Sequence, residues 1–300
     1  MLALTLAIAA AVAAGAGAQR GLGERAERLT RRLLDLILYA ALPFIAFFVL
    51  ARADLDAGAG VGLGLAYAMH AAAGLVAWAV AARVLRLSPR ATATVIVTTI
   101  MANTGFLGVP LVSVLLTEEQ LGPAITYDAV VSAPMFFVVA FAVAAAFQTR
   151  GEPAAARVRT FIVRNPPLIA VIGGLLAPDS LAPQLLVDVA RVGVVALAPL
   201  GFFIVGVQLA AEAQGTTLRL SPPVALVIAC RMVLAPLLLI ALAALTVDVP
   251  DAYLVQAAMP VAVNTLVVAH AYDLDRAIAA AALAWSTAIA LIGGLAAGML

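Results

Sequence analysis

Ten apolar stretches, separated by charged or Pro/Gly-rich punctuation, fill this 300-residue sequence from end to end. They are Leu2–Ala18, Leu33–Leu50, Ala59–Ala82, Ala91–Leu116, Ile125–Phe147, Pro166–Leu176, Leu186–Ala210, Pro223–Leu245, Ala252–Ala271 and Ala277–Leu300, the sixth being short and Pro-led. A spanning helix needs about 20 apolar residues, so the pattern predicts an all-α membrane protein of ten transmembrane helices. Composition agrees: the chain is 65% hydrophobic and 11% charged, against roughly 45–50% apolar and 25% charged in a soluble domain. A lone cysteine, Cys230, excludes a disulfide scaffold, and a net charge of +1 leaves no basic footprint for nucleic acid.

Arginine positions predict the topology. All 17 basic residues are Arg. None lies within residues 1–18, so the first stretch lacks the basic n-region of a secretory signal and reads as a spanning helix with its N-terminus outside. Arg20, Arg25, Arg28, Arg31 and Arg32 follow it; Arg83, Arg86 and Arg90 follow the third stretch; Arg150, Arg157, Arg159 and Arg164 the fifth; Arg219 the seventh; and Arg276 the ninth. With both termini outside, these 14 of 17 are cytoplasmic, as positive-inside demands. Arg52 and Arg191 fall outside among acidic connections (Asp54, Asp56, Glu118, Glu119, Asp179, Asp248, Asp251), and Arg231 falls inside a span.

The sequence also echoes itself. Pro89, thirteen residues, then Asn103-Thr104 matches Pro250, thirteen residues, then Asn264-Thr265, at an offset of 161. Leu42–Val49 resembles Ala198–Val205 at an offset of 156. Stretches 4 and 9, and 2 and 7, are the pairs that a five-plus-five duplication gives, and an odd number of spans per unit inverts the second copy. The expected halves are residues 1–148 and 165–300, joined by a cytoplasmic linker at 149–164. Inverted repeats in membranes point to secondary transport, with the site where discontinuous helices meet near mid-membrane. Asn103–Pro110 and Met259–Thr265 are the interrupted segments, since Pro removes a backbone donor and Gly105 and Gly108 leave helical geometry cheaply.

The half-helix after Pro110 is expected to offer free N–H groups to an anion. The Asn103 and Asn264 amides and the Thr104 and Thr265 hydroxyls would add donors, with Pro110 and Pro260 holding the breaks open. No acidic residue lies between Ala91 and Val114 or between Ala252 and Tyr272. The crossing therefore reads as neutral, donor-rich and suited to a small organic anion, with no metal or cofactor.

Asn-Thr-Gly-Phe-Leu-Gly-Val-Pro-Leu (Asn103–Leu111), Ala198–Gly206 and Met259–Thr265 resemble the auxin efflux carrier family in its bacterial form, over nearly the whole chain. The resemblance implies ten helices in two inverted five-helix repeats, with broken helices 4 and 9 crossing at the substrate site. It also implies a scaffold of helices 1, 2, 6 and 7, a transport body of helices 3–5 and 8–10, elevator-like motion, homodimers and residence in the inner membrane. Plant members export auxin and bacterial ones are associated with dicarboxylates such as malate or malonate. Residues 148–165 stand where many plant members have a long central loop.

Arg231, deep in the eighth stretch, is the costliest residue to bury. It is open to drawing an anion or balancing charge, or to pairing with Asp188, Asp128 or helix-end carbonyls. Asp128 reads first as an interfacial residue near the outer surface and second as a proton-coupling group. His70 reads as packed among small residues, and Asp35 as interfacial. No Gly-x-Ser-x-Gly elbow, His-Glu-x-x-His or P-loop occurs, so no enzyme is expected. Two rivals to a secondary carrier of a small organic anion remain. One is a sodium- or proton-coupled carrier like the bile acid symporters or the antiporters, which needs carboxylates at the break; the other is a non-transporting membrane sensor.

Overall fold

Proline dictates much of the helical geometry. It cannot donate to the carbonyl four residues back and its ring crowds that turn, so a helix carrying it must bend or widen. In the computed structural model, which describes residues 2–51, 60–148, 159, 166–213 and 219–297, π-helical turns stand just before four prolines. Ile37–Ala41 precedes Pro43, Thr104–Gly108 precedes Pro110, Asp128–Ser132 precedes Pro134, and Ala229–Leu234 precedes Pro236. In each case the carbonyl that the proline orphans lies inside the wide turn. Pro134 orphans the oxygen of Val130, and the Tyr67 hydroxyl donates to it.

Helix dominates the described residues, which contain no strand, only one isolated β-bridge. In chain order the helices are α1 (Leu2–Leu22), α2 (Glu24–Leu36), α3 (Leu42–Leu50), α4 (Gly60–Ala79), α5 (Pro89–Ile100), α6 (Val109–Leu115), α7 (Leu121–Tyr127) and α8 (Phe141–Gln148). They continue as α9 (Pro166–Leu176), α10 (Gln184–Ala213), α11 (Pro222–Ile228), α12 (Ala235–Thr246), α13 (Asp251–Ala257), α14 (Thr265–Ala271) and α15 (Arg276–Ala297). Each predicted apolar stretch carries helix among these residues. Among the described residues, four runs are long and apolar enough to cross a membrane: Gly60–Val84, Gly122–Phe147, Pro222–Thr246 and Arg276–Gly293. The linker at 149–164 lies outside the described residues apart from Arg159, as do Arg52, Asp54 and Asp56.

Large apolar side chains face outward, Leu245 at 82% and Ile292 at 69% exposure, as a lipid-facing surface requires. At the centre is α5, whose residues Ala91–Ile100 are all buried. Its threonines are accommodated by hydrogen bonds to their own helix, Thr94 Oγ1 to the Arg90 carbonyl at 2.9 Å and Thr98 Oγ1 to that of Thr94 at 2.7 Å. At the arginine-rich end, Arg90 reaches Asp273 at 3.0 Å, and His270 Nε2 lies 2.9 Å from Asp35 Oδ1, tying α14 to α2.

Glycine sets the helix spacing elsewhere. A Cβ on Gly15 of α1 would run into the Phe203 carbonyl of α10, and one on Gly206 into the Val12 carbonyl of α1. A Cβ on Gly174 of α9 would meet the Phe47 carbonyl of α3 in the same way. Small residues that let two backbones touch are the usual basis of helix association in lipid.

Candidate functional site

Helix α5 stops at Ile100 and helix α13 at Ala257, and the non-helical segments after them meet. Ala102 and Val261 form the isolated antiparallel bridge. Asn103 N–H donates to the Pro260 carbonyl at 2.8 Å, and Ala262 N–H donates to the Met101 carbonyl at 3.0 Å. A third donor, Val261 N–H, reaches Ser286 Oγ of α15 at 3.1 Å. An unsatisfied backbone group in hydrocarbon costs several kcal/mol, so each break satisfies the other. Pro260 enters the pairing only through its oxygen, which is all a proline can offer.

Two glycines of the first break mark close approaches. A Cβ on Gly108 would collide with the Gln256 carboxamide of α13. At Gly105 it would stand 3.1 Å from Asp128 Oδ2. Asp128 is thus at the break and not near the outer surface, and Thr104 Oγ1 donates to its Oδ1 at 2.5 Å. The expectation of a break without an acid is corrected with it. The carboxylate arrives from the following span, because the wide turn Asp128–Ser132 packs against Thr104–Gly108.

The donors expected from the sequence are redistributed. Gly108 N–H already bonds the Asn103 carbonyl at 3.0 Å, and Gly108 is itself in helical conformation. The open helix end therefore lies at Thr104, ahead of the site expected after Pro110, whose backbone sits in the first turn of α6. Thr104 spends its hydroxyl proton on Asp128, and Thr265 Oγ1 spends its own on the Ala262 carbonyl at 2.8 Å. The amides of Thr265, Leu266 and Val267 are taken by turn bonds at 3.1 Å. The two asparagines remain. Asn103 is buried, and its Nδ2 has no hydrogen-bond partner among the described residues. Asn264 caps α14 without using its side chain. It lines a small cleft between Leu34, Ile37, Gly201 and Ile204 on one side and Val263, Leu266 and Val267 on the other.

Arg231 resolves toward one of its open alternatives. Fully buried, its guanidinium donates to the Thr99 carbonyl at 3.3 Å and to the Ala257 carbonyl, the last turns of α5 and α13. Neither Asp188 nor Asp128 pairs with it among the described residues. His70 Nδ1 lies 3.4 Å from the same guanidinium, and Tyr127 Oη lies 3.5 Å from His70 Nε2. Read from the sequence as a packed histidine, His70 is packed, but against the one buried cation of the site. The signal that finds it is the spacing of 161 to Arg231, the same offset that separates Asn103 from Asn264.

A sequence model of the membrane transport protein family matches residues 4–294. The chain belongs to the membrane transport protein family. This is the auxin efflux carrier family that its motifs resemble. No curated protein matches the chain. Membership makes this a membrane transporter, and the membrane transport protein family's match runs through both breaks, both asparagines and Arg231.

Proposed function

We propose that this transporter is a secondary carrier of a small organic anion, a carboxylate, bound where the two helix breaks pair. The observation that carries the proposal is the buried Nδ2 of Asn103 beside those breaks, which has no partner among the described residues. A buried donor left unpaired costs about 1–3 kcal/mol, and a carboxylate oxygen relieves that cost. Asn264 supplies the second amide, from the cleft side. Thr104, Gly105, Gly108, Pro110, Pro260 and Thr265 shape the crossing.

The architecture proposed for it is two inverted five-helix repeats, residues 1–148 and 165–300. Several features support duplication. Met101 and Ala262, which bond each other across the breaks, are themselves 161 apart. So are Pro89 and Pro250, and His70 and Arg231. Gly15 meets the carbonyl of Phe203 and Gly174 that of Phe47, two phenylalanines 156 apart. In elevator motion the body holding the breaks slides along a scaffold. The cleft between Leu34, Ile37, Gly201 and Ile204 and the Asn264 segment is where those two bodies would part. The carrier works in the cytoplasmic membrane of a bacterium with both termini outside, as a homodimer, the assembly its family resemblance implies.

The experiment is uptake of labelled malonate, malate and indole acetate into proteoliposomes, together with a thermal-shift screen of the same acids. Ligand in excess of its Kd stabilises the native state. Carboxylate-dependent uptake and stabilisation are expected; neither with any acid of the panel contradicts the proposal.

Asp128 favours a second reading, in which anion movement is coupled to protons. Its carboxylate stands against Thr104 and Gly105, where its ionised form repels an anion and its protonated form does not. Uptake of the anion is therefore expected to carry a proton inward. Asp128→Asn is expected to keep carboxylate exchange while losing the response to an imposed proton gradient. An unchanged response in the variant removes Asp128 from the coupling.

A further inference from the structure

We infer, on the carrier reading proposed above, that Arg231 is a tethered counter-ion. It occupies a cation site formed by the ends of α5 and α13, so that anion transport by this chain needs no coupling metal ion. The C-terminal end of a helix carries about half a negative charge on its free carbonyls. Two such ends converge here, and their oxygens, those of Thr99 and Ala257, both accept from the Arg231 guanidinium. Half-helix ends of this kind are where broken-helix carriers coordinate Na⁺ or H⁺. In this chain the cation is covalent.

The surroundings fit a resident cation rather than an ion pair. Arg231 is fully buried, and among the described residues none of the ion pairs includes it. A buried charge without a counter-charge is tolerated only where dipoles replace water. The two carbonyls do so on one side, and His70 Nδ1, 3.4 Å away, accepts on another. Accepting there fixes the neutral histidine's proton on Nε2, toward Tyr127 Oη at 3.5 Å. The nearest acid to the breaks, Asp128, is engaged by Thr104 instead. At the two helix ends the local sum is one fixed positive charge set against two half-negative ends, so the ends themselves present almost no net negative charge to an incoming anion. Without Arg231 the same carbonyls would repel that anion. Arg231 is thus a positioning and charge-setting residue that does not itself touch the substrate.

The test is chemical rescue of Arg231→Ala with free guanidinium, read both as flux in proteoliposomes and as thermal unfolding in detergent. Wild-type flux is expected to be the same in sodium, potassium and choline salts. Arg231→Ala is expected to lose flux on the order of tenfold to a hundredfold, the equivalent of one or two charge-assisted hydrogen bonds. Millimolar guanidinium is expected to raise the variant's flux and its melting temperature while leaving wild type unchanged; equimolar sodium chloride is the control. Wild-type flux that requires sodium overturns the inference. So does an Arg231→Ala protein whose flux and melting temperature ignore guanidinium. If wild type moves no carboxylate, the carrier reading fails, while the melting temperature still reports whether guanidinium fills the site. Should Arg231→Ala not fold, Arg231→Lys and Arg231→Met decide. Lysine keeps the charge and is expected to keep the larger share of flux; equal losses in the two overturn the inference.

Discussion

Gly15→Ala is expected to destabilise the protein by about 3 kcal/mol, the upper end of what overpacking costs, whereas Gly17→Ala two residues away is expected to stabilise it. A Cβ at Gly15 lands on the Phe203 carbonyl, a backbone atom that no rotamer change can move. Helices α1 and α10 must then separate along their whole contact, which also opens the reciprocal approach of Gly206 to the Val12 carbonyl. At Gly17 nothing lies within 4 Å of the new methyl. There the substitution only replaces a poor helix former by the best one, worth up to about 1 kcal/mol. Thermal unfolding in one detergent, with both variants beside wild type, reads the opposite signs. Gly174→Ala, against the Phe47 carbonyl, is expected to behave like Gly15→Ala. Similar melting temperatures for Gly15→Ala and Gly17→Ala would contradict the close α1–α10 packing.

Asn103→Ala is expected to lower carboxylate flux on the order of a hundredfold, the loss of a charge-assisted hydrogen bond in a dry site. The same change is expected to leave stability unharmed or improved. Its Nδ2 has no partner among the described residues, so removing it discards a buried donor that contributes nothing to the apo fold. The backbone of residue 103 keeps its bond to Pro260 at 2.8 Å and its acceptance from Gly108 at 3.0 Å, because neither uses the side chain. Loss of flux with an undiminished melting temperature separates a binding role from a structural one. Unfolding of the variant would make Asn103 a structural residue, and full flux would remove it from the site.

Much of the fold was legible because lipid imposes a strong pattern. Each apolar stretch read from the sequence carries helix, and the two Gly/Pro-interrupted stretches are the ones that break. The prolines even mark the wide turns, since the carbonyl orphaned by Pro43, Pro110, Pro134 or Pro236 lies in each. The site was legible in part. Asn103 and Asn264 could be read because Asn is rare in such stretches and recurs at a fixed offset. Asp128 was misplaced because depth along a span says nothing about which neighbour a side chain meets; the contact with Thr104 depends on how two wide turns pack. The partners of Arg231 were left open for a related reason. They are backbone oxygens, and every residue carries one. Gly15 and Gly174 were invisible as contacts, since α1 and α9 offer several small residues and only packing selects the one that touches a carbonyl.

The central claim, that the carried anion sits where the two breaks pair, is tested most directly by substrate protection at position 263. Val263 lines the same cleft as Asn264 and its replacement leaves both asparagines in place, and the one native cysteine, Cys230, is buried. In Val263→Cys, made in a Cys230→Ser background, modification by a small thiol reagent is expected to be slowed several-fold by the acid that wild type transports, and unaffected by acids it does not. A modification rate indifferent to the transported acid would put the substrate elsewhere.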